Sequence, residues 1–226
     1  MALPANSLLD IAETHKPAKN PHYLRIYDRF FSCYDQEIKT ILEIGVGDGE
    51  CLRMWRDYFP EAFIFGLDIC ACRCFEEDRI RVLHGDQGNA QTLETLAMCG
   101  PFDLIIDDGS HRVRHQKDTF FALFPTLRPG GVYAIEDMHT SYWPGFGGGR
   151  MADNTVECMC ALAHGLNYSY WKNTDEVTDL ARTFRKHNHG ETDYIDAEPS
   201  FFDLNVGSVH FYESLCLVTR VTRREA

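Results

Sequence analysis

From residue 40 onward the chain alternates short apolar runs with amphipathic stretches, the pattern that arises when parallel strands are joined by crossover helices. Five runs predict strands: Thr40 to Ile44, Ala62 to Leu67, Ile80 to His84, Phe102 to Ile106 and Gly131 to Ile135. Glycine or polar residues bound each run, and none needs strict alternation if the strands are buried on both faces. Helices are expected over Glu50 to Tyr58, Ala90 to Met98 and Val113 to Leu123, the last ending before Arg128-Pro129-Gly130-Gly131, which reads as a turn. A further helix is expected from Val156 to His164, after the capping candidates Asp153, Asn154 and Thr155. Residues 1–35 read as a helical lead-in that packs over the site, and Lys172 to Ser200 as a polar surface excursion. From Phe201 the chain turns β-rich and predicts a closing pair of strands, followed by a basic tail from Arg220 to Arg224. The expected fold class is α/β, a doubly wound, mostly parallel sheet with an antiparallel closing strand, in one domain with its core over 36–226.

The first strand leads into ILEIGVGDGE, where Gly45, Gly47 and Gly49 stand between a strand and a helix. Such glycines permit a tight turn and a close ligand approach to the backbone. A dinucleotide fingerprint, G-x-G-x-x-G, would need a third glycine where Glu50 stands, and Glu43 would be an awkward neighbour for a pyrophosphate. The E-x-G-x-G-x-G turn instead resembles the first motif of methyltransferases that bind S-adenosylmethionine, which makes Glu43, Gly45 and Gly47 candidate cofactor residues. Asp68 ends the second strand, where a carboxylate can accept from both ribose hydroxyls. Asp86 and Gln87, after the third strand, stand where an adenine would lie.

Two later strands end in acid, DLIIDDGSH and YAIEDMH. In a doubly wound sheet their carboxyl ends open onto one crevice, so carboxylates of the two acid pairs, Asp107-Asp108 and Glu136-Asp137, can converge on a hard cation such as Mg2+. Adjacent strand residues face opposite ways, so Asp108 is assigned to the metal and Asp107 to the neighbourhood of the cofactor. His111, just past Gly109, is the candidate general base, with His139 second to it. Tyr142 and Trp143, before the run from Gly145 to Gly149, supply aromatic faces suited to covering an acceptor beside His139; the plainer reading is an aromatic plug beneath a loop.

Composition narrows the partners. A net charge of −12 opposes nucleic acid, and 44% hydrophobic residues without a long apolar run give no membrane span. Nine cysteines without an evident export signal point to reduced thiols in the cytoplasm. The cluster Cys70, Cys72 and Cys74 lacks the spacing of a structural zinc site and reads as a surface loop, as do His187 and His189.

Taken together, ILEIGVGDGECLRMWRDYFP, FGLDI, HGDQG, FDLIIDDGSH and GGVYAIEDMHTSYWPGFGGG resemble the macrocin and mycinamicin sugar O-methyltransferases of macrolide biosynthesis, from about Leu8 to Arg220, with IEDMHTSYWPGF the most specific run. The resemblance implies a Rossmann-like class I methyltransferase fold and an S-adenosylmethionine- and Mg2+-dependent enzyme. It further implies that Asp108, Glu136 and Asp137 hold the metal, that His111 is the base, that the acceptor is a sugar hydroxyl of a small-molecule glycoside, and that the enzyme is a homo-oligomer. The short glycine turn and the DICACRC run depart from that pattern. A surface saccharide, a catechol-like phenol, a cephalosporin hydroxylase-like reaction and a non-catalytic binding module are the alternatives.

Overall fold

The computed structural model describes residues 7–70, 77–149, 154–167 and 200–221. Two helices, α1 (Leu8–His15) and α2 (Pro21–Ser32), precede a seven-stranded sheet. Its strands are β1 (Thr40–Ile44), β2 (Phe63–Asp68), β3 (Ile80–His84), β4 (Phe102–Asp107), β5 (Leu127–Ile135), β6 (Val206–Tyr212) and β7 (Leu215–Arg220). The order across the sheet is β3-β2-β1-β4-β5-β7-β6. The first five strands pair in parallel, and β7 runs antiparallel to both β5 and β6. The crossovers are α3 (Glu50–Tyr58), α4 (Ala90–Cys99) and α5 (Val113–Leu123), and α6 (Thr155–Gly165) precedes the final hairpin.

The strand period of two sorts side chains onto two cores. Ile41, Ile64, Leu104, Val132 and Leu217 pack with α1, α2 and α3, while Leu42, Ile105, Tyr133 and Val218 pack with α5 and α6. Helix α1 starts in a capping box between Ser7 and Asp10, and α2 starts at an Asn20 cap with Pro21 in its first turn. Helix α2 buries Tyr23, Leu24, Tyr27 and Phe31 on one stripe. The lead-in therefore packs on the sheet face that carries the acids described below.

The expected strands and helices are all present, with shifts of a residue or so at most ends. The main difference is Arg128 to Gly131, which belongs to β5 instead of forming a separate turn. Here the pairing with β4 slips between Phe102 and Leu104, Gly130 takes a φ of 86°, and Arg128 pairs with Asp103. The extra residues are absorbed as an irregularity in the strand. A second difference is FFDLN, which forms a short helix, α7 (Phe201–Asn205), because Ser200 and Asp203 make a capping box. Of the capping candidates before α6, Asn154 is the one whose side chain accepts from Glu157 N. Asp153, Cys72, Cys74, His187, His189, most of the excursion from Lys172 to Ser200 and the end of the basic tail lie outside the described residues.

Candidate active site

Register and alternation assemble the site. Asp107 is level with Ile135, so the next pair outward is Asp108 and Glu136, and Glu43 lies one same-face step deeper, opposite Ile106. All three carboxylates leave the sheet on the face covered by α2. Asp108 N donates to Ile44 O at 2.9 Å and Glu136 N to Asp107 O at 3.0 Å, so the strand pattern persists up to the acids.

Beyond Glu136 the chain turns. Asp137 adopts φ 55° and His111 φ 55°, both in the left-handed region that non-glycine residues seldom occupy. Thr140 holds both turns, its hydroxyl lying 2.9 Å from His111 O and 2.8 Å from Asp137 O. Gln116 Nε2 donates to Glu136 O at 3.0 Å, and Thr155 Oγ1 to Gln116 Oε1 at 2.8 Å, so a buried relay from α5 and α6 anchors the strand end. Two strained residues facing each other and tied by one threonine are typical of a functional site.

The result is a compact donor set. Ligand atoms of Asp108, His111 and Asp137 all lie within 4.8 Å of one another. His111 Nε2 is 3.5 Å from Asp137 Oδ2, and Tyr23 OH donates to Asp137 Oδ1 at 2.8 Å. Glu136 is almost fully buried; its Oε1 accepts from Tyr27 OH at 2.8 Å and from Lys19 Nζ at 2.7 Å. Lys19 also reaches Asp108 Oδ2 at 3.0 Å and approaches Glu43 Oε1 at 3.3 Å. Burial pushes Glu43 and Glu136 above the ordinary carboxylate range, against the pull of Lys19. Burial works to lower the Lys19 pKa, yet Glu136, Asp108 and Glu43 together raise it well above the usual lysine value. Burial is the largest cause of both raised carboxyls, and the charge of Asp108 adds to it. The converging donors of Asp108, His111 and Asp137, with further carboxylates beside them, fit a divalent cation.

Beside this cluster, Gly45, Asp68, Asp86, Gln87 and Ser110 line a crevice of about 130 Å³ at the carboxyl ends of β1, β2 and β3. Asp68 Oδ2 accepts from Val46 N at 2.9 Å and Gly47 N at 3.1 Å, so it organises the glycine turn from which it also faces the crevice. Gln87 serves as a brace: its amide donates to Asp107 Oδ1 at 2.6 Å and accepts from Ser110 N at 2.9 Å. The structure places Asp107 on the other face from Asp108, as alternation requires, but fully buried and outside the lining of the crevice. Glu43 is likewise remote from the crevice lining, its carboxylate aimed at Lys19. On the opposite side of Asp137, a cavity of about 430 Å³ is lined by Asn20, Tyr23, His139, Tyr142 and the β6–β7 turn. His139 is held by Ser214 Oγ at 2.5 Å, while Trp143 stands outside that lining and meets His139 edge-on at 4.6 Å.

Sequence reasoning missed Lys19, Tyr23 and Tyr27. The signal available was the i, i+4 spacing of the two tyrosines on the apolar stripe of α2, which directs both hydroxyls at one place.

Residues 42–138 match the family model described as a methyltransferase domain. The chain is 48% identical over 213 residues to demethylmacrocin O-methyltransferase of Streptomyces fradiae, covering 91% of this chain and 49% of that one. It is 39% identical over 208 residues to mycinamicin VI 2''-O-methyltransferase of Micromonospora griseorubida, covering 88% and 47%. The chain therefore spans about half the length of the curated relatives it matches. A solved structure of the MycE methyltransferase, in complex with Mg, SAH and mycinamycin VI, superposes with a TM-score of 0.79 at 32% identity, over 97% of this chain and 55% of that one. Fold, site geometry and these likenesses agree that the chain has the class I methyltransferase fold, and over its length it is similar to part of the macrocin- and mycinamicin-type sugar O-methyltransferases.

Proposed function

We propose that this chain is an S-adenosylmethionine- and Mg2+-dependent O-methyltransferase whose acceptor is a sugar hydroxyl of a glycosylated natural product. The observation that carries the reading is the meeting of Asp108, His111 and Asp137 between two cavities, one beside the glycine turn and one walled by aromatic side chains. Asp68 and Asp86 would take the ribose and adenine of the cofactor, with Gly45 and Gly47 shaping the turn and Gln87 lining the crevice while it braces Asp107 and Ser110. Asp108, Glu136 and Asp137 would hold the metal. When bound, the cofactor supplies the methyl group and the cation lowers the cost of removing a proton from the acceptor hydroxyl.

The residues of the chain do the rest. His111 takes the hydroxyl proton at Nε2, which faces Asp137, and Asp137 stabilises the imidazolium that results. Tyr142 and His139 hold the acceptor, Tyr142 by packing a face against the sugar ring. The cavity between them and the β6–β7 turn orients one hydroxyl, a contribution of position more than of chemistry. The relatives' names favour an antibiotic glycoside over a surface saccharide or a catechol-like phenol. Thiols at all the described cysteines suit a reducing compartment such as the cytoplasm.

His111→Ala tests the assignment. Turnover on a glycoside acceptor should fall by roughly 10²- to 10⁴-fold, the usual worth of a positioned base. Affinity for SAH and for Mn2+, measured by calorimetry, should hold. A parallel collapse of Mn2+ affinity would make His111 a ligand and remove it as the base.

A further inference from the structure

Once crevice, acids and histidine have roles, Lys19 is a buried charged group still without one. Lys19 sits in the connection between α1 and α2, and its side chain has 0% exposure. Lysine is almost never fully buried unless it is paired, and here it meets the three carboxylates that alternation places on one face. Its contacts are selective. Lys19 Nζ takes Asp108 Oδ2 and Glu136 Oε1, and Tyr27 OH donates to that same Glu136 oxygen. Asp108 Oδ1 and Glu136 Oε2 receive no hydrogen bond from the described residues. On the same face both Glu43 oxygens are buried without a hydrogen-bond partner, and buried carboxylate oxygens without a donor are costly unless a cation serves them.

We propose that Lys19 is a positioning residue for the divalent cation, tying Asp108 and Glu136 together through one oxygen of each and keeping the other oxygen of each available to the metal. The proposal rests on the metal reading given above. Asp108 ends one strand and Glu136 the next, and no hydrogen bond joins their side chains directly. The ammonium, with three donors in a compact head, bridges them from the lead-in. The helices before the sheet thereby contribute to the metal site as well as to the core. The competing role for Lys19 is purely structural, as the counter-ion that lets Glu43 be buried.

The double variant Lys19→Met, Glu43→Gln separates the two roles, because it removes Lys19 together with the buried acid for which it would serve as counter-ion. Mn2+ would be titrated by calorimetry and by the loss of its free-ion paramagnetic resonance signal, with SAH titrated beside it to show that the fold survives. A positioning residue predicts Mn2+ affinity lower by roughly 10- to 100-fold, the range for losing an outer partner of a metal ligand, with SAH affinity little changed. Wild-type Mn2+ affinity in a variant that still binds SAH would overturn the proposal and leave the metal site standing. Failure of the wild-type protein to bind Mn2+ would overturn the proposal and the metal reading together. Should the double variant lose SAH binding, Lys19→Arg decides, since it keeps the charge but carries a planar head too long for the same two contacts. Weakened Mn2+ binding there supports positioning, and unchanged binding refutes it.

Discussion

Gly45→Ala should damage two sites at once, because the space its side chain would need belongs to the Asp108 loop, part of the proposed metal site. Gly45 has a φ of 89°, and a Cβ built there would lie 2.1 Å from Asp108 O, 2.7 Å from Asp108 C and 3.0 Å from the Gly109 Cα. All three are backbone atoms, so no side chain can swing aside. The left-handed conformation alone costs a non-glycine residue about 1–2 kcal/mol. Overpacking against a fixed neighbour adds about 1–3 kcal/mol. A loss of about 3 kcal/mol is therefore expected, which for a chain of this size lowers Tm by roughly 6–12 °C. Relief would come from moving the Asp108 segment outward, at the expense of the 2.9 Å bond from Asp108 N to Ile44 O. Gly47→Ala is the internal control, since Gly47 also has a positive φ, 56°, but no atom lies within 4 Å of its Cβ position. Urea unfolding followed by tryptophan fluorescence would measure both variants, with Mn2+ and SAH titrations beside it. Equal stability of the two variants, with wild-type Mn2+ affinity in Gly45→Ala, would refute the steric link between glycine turn and metal loop.

Asp107→Asn should stabilise the protein above neutral pH. Burial pushes the Asp107 carboxyl up to about 7 from its ordinary 3.8, against the lowering effect of the Gln87 hydrogen bond. Between those values the folded state keeps a proton that the unfolded state releases, so wild-type stability falls as pH rises from about 4 to 7, by up to roughly 4 kcal/mol. Asparagine cannot ionise and retains an acceptor for Gln87. Urea midpoints of variant and wild type should agree near pH 4.5 and separate by pH 8 in favour of the variant, and parallel pH profiles would count against the shift. Asp68→Ala should weaken SAH binding by roughly tenfold or more, the worth of one or two hydrogen bonds to a charged group. Mn2+ affinity should hold in that variant, and calorimetric SAH affinity equal to wild type would remove Asp68 from the cofactor site.

What was legible in the sequence was whatever period and punctuation encode. Thr40 to Ile44, Ile80 to His84, Glu50 to Tyr58 and Val113 to Leu123 fall where apolar spacing put them, to the residue. The separation of Asp107 from Asp108 likewise followed from alternation alone. Three features were not legible, each because the cause is tertiary. Arg128 to Gly131 reads as a turn by composition, yet Asp103 across the sheet captures Arg128 and keeps the segment in the strand. Gly45 reads as a glycine kept for a ligand, whereas the atom that occupies its Cβ space is a carbonyl from a loop 60-odd residues later in the chain. Glu43 reads as a group turned to the cofactor but answers to Lys19, whereas Gln87 does line the crevice and is held there by Asp107 and Ser110.

Lys19 was the hardest residue to foresee, since a lysine in a polar connection carries no periodic signal, yet its place follows from the sheet. Alternation and register put Asp108 and Glu136 on one face at the same level with Glu43 one step deeper, and Asp137 turns in beside them. Four carboxylates so close cannot all be charged in a buried place without cations. One ammonium, from Lys19, answers only part of that demand: both Glu43 oxygens stay without a hydrogen-bond partner among the described residues. A second buried lysine would satisfy the charge but would block the crevice with a tethered side chain. On the proposed reading a divalent ion held by Asp108, Glu136 and Asp137 would meet the remaining demand and would also assist removal of a proton from an acceptor hydroxyl. Lys19 would then make the acids foldable, and the ion would make them useful.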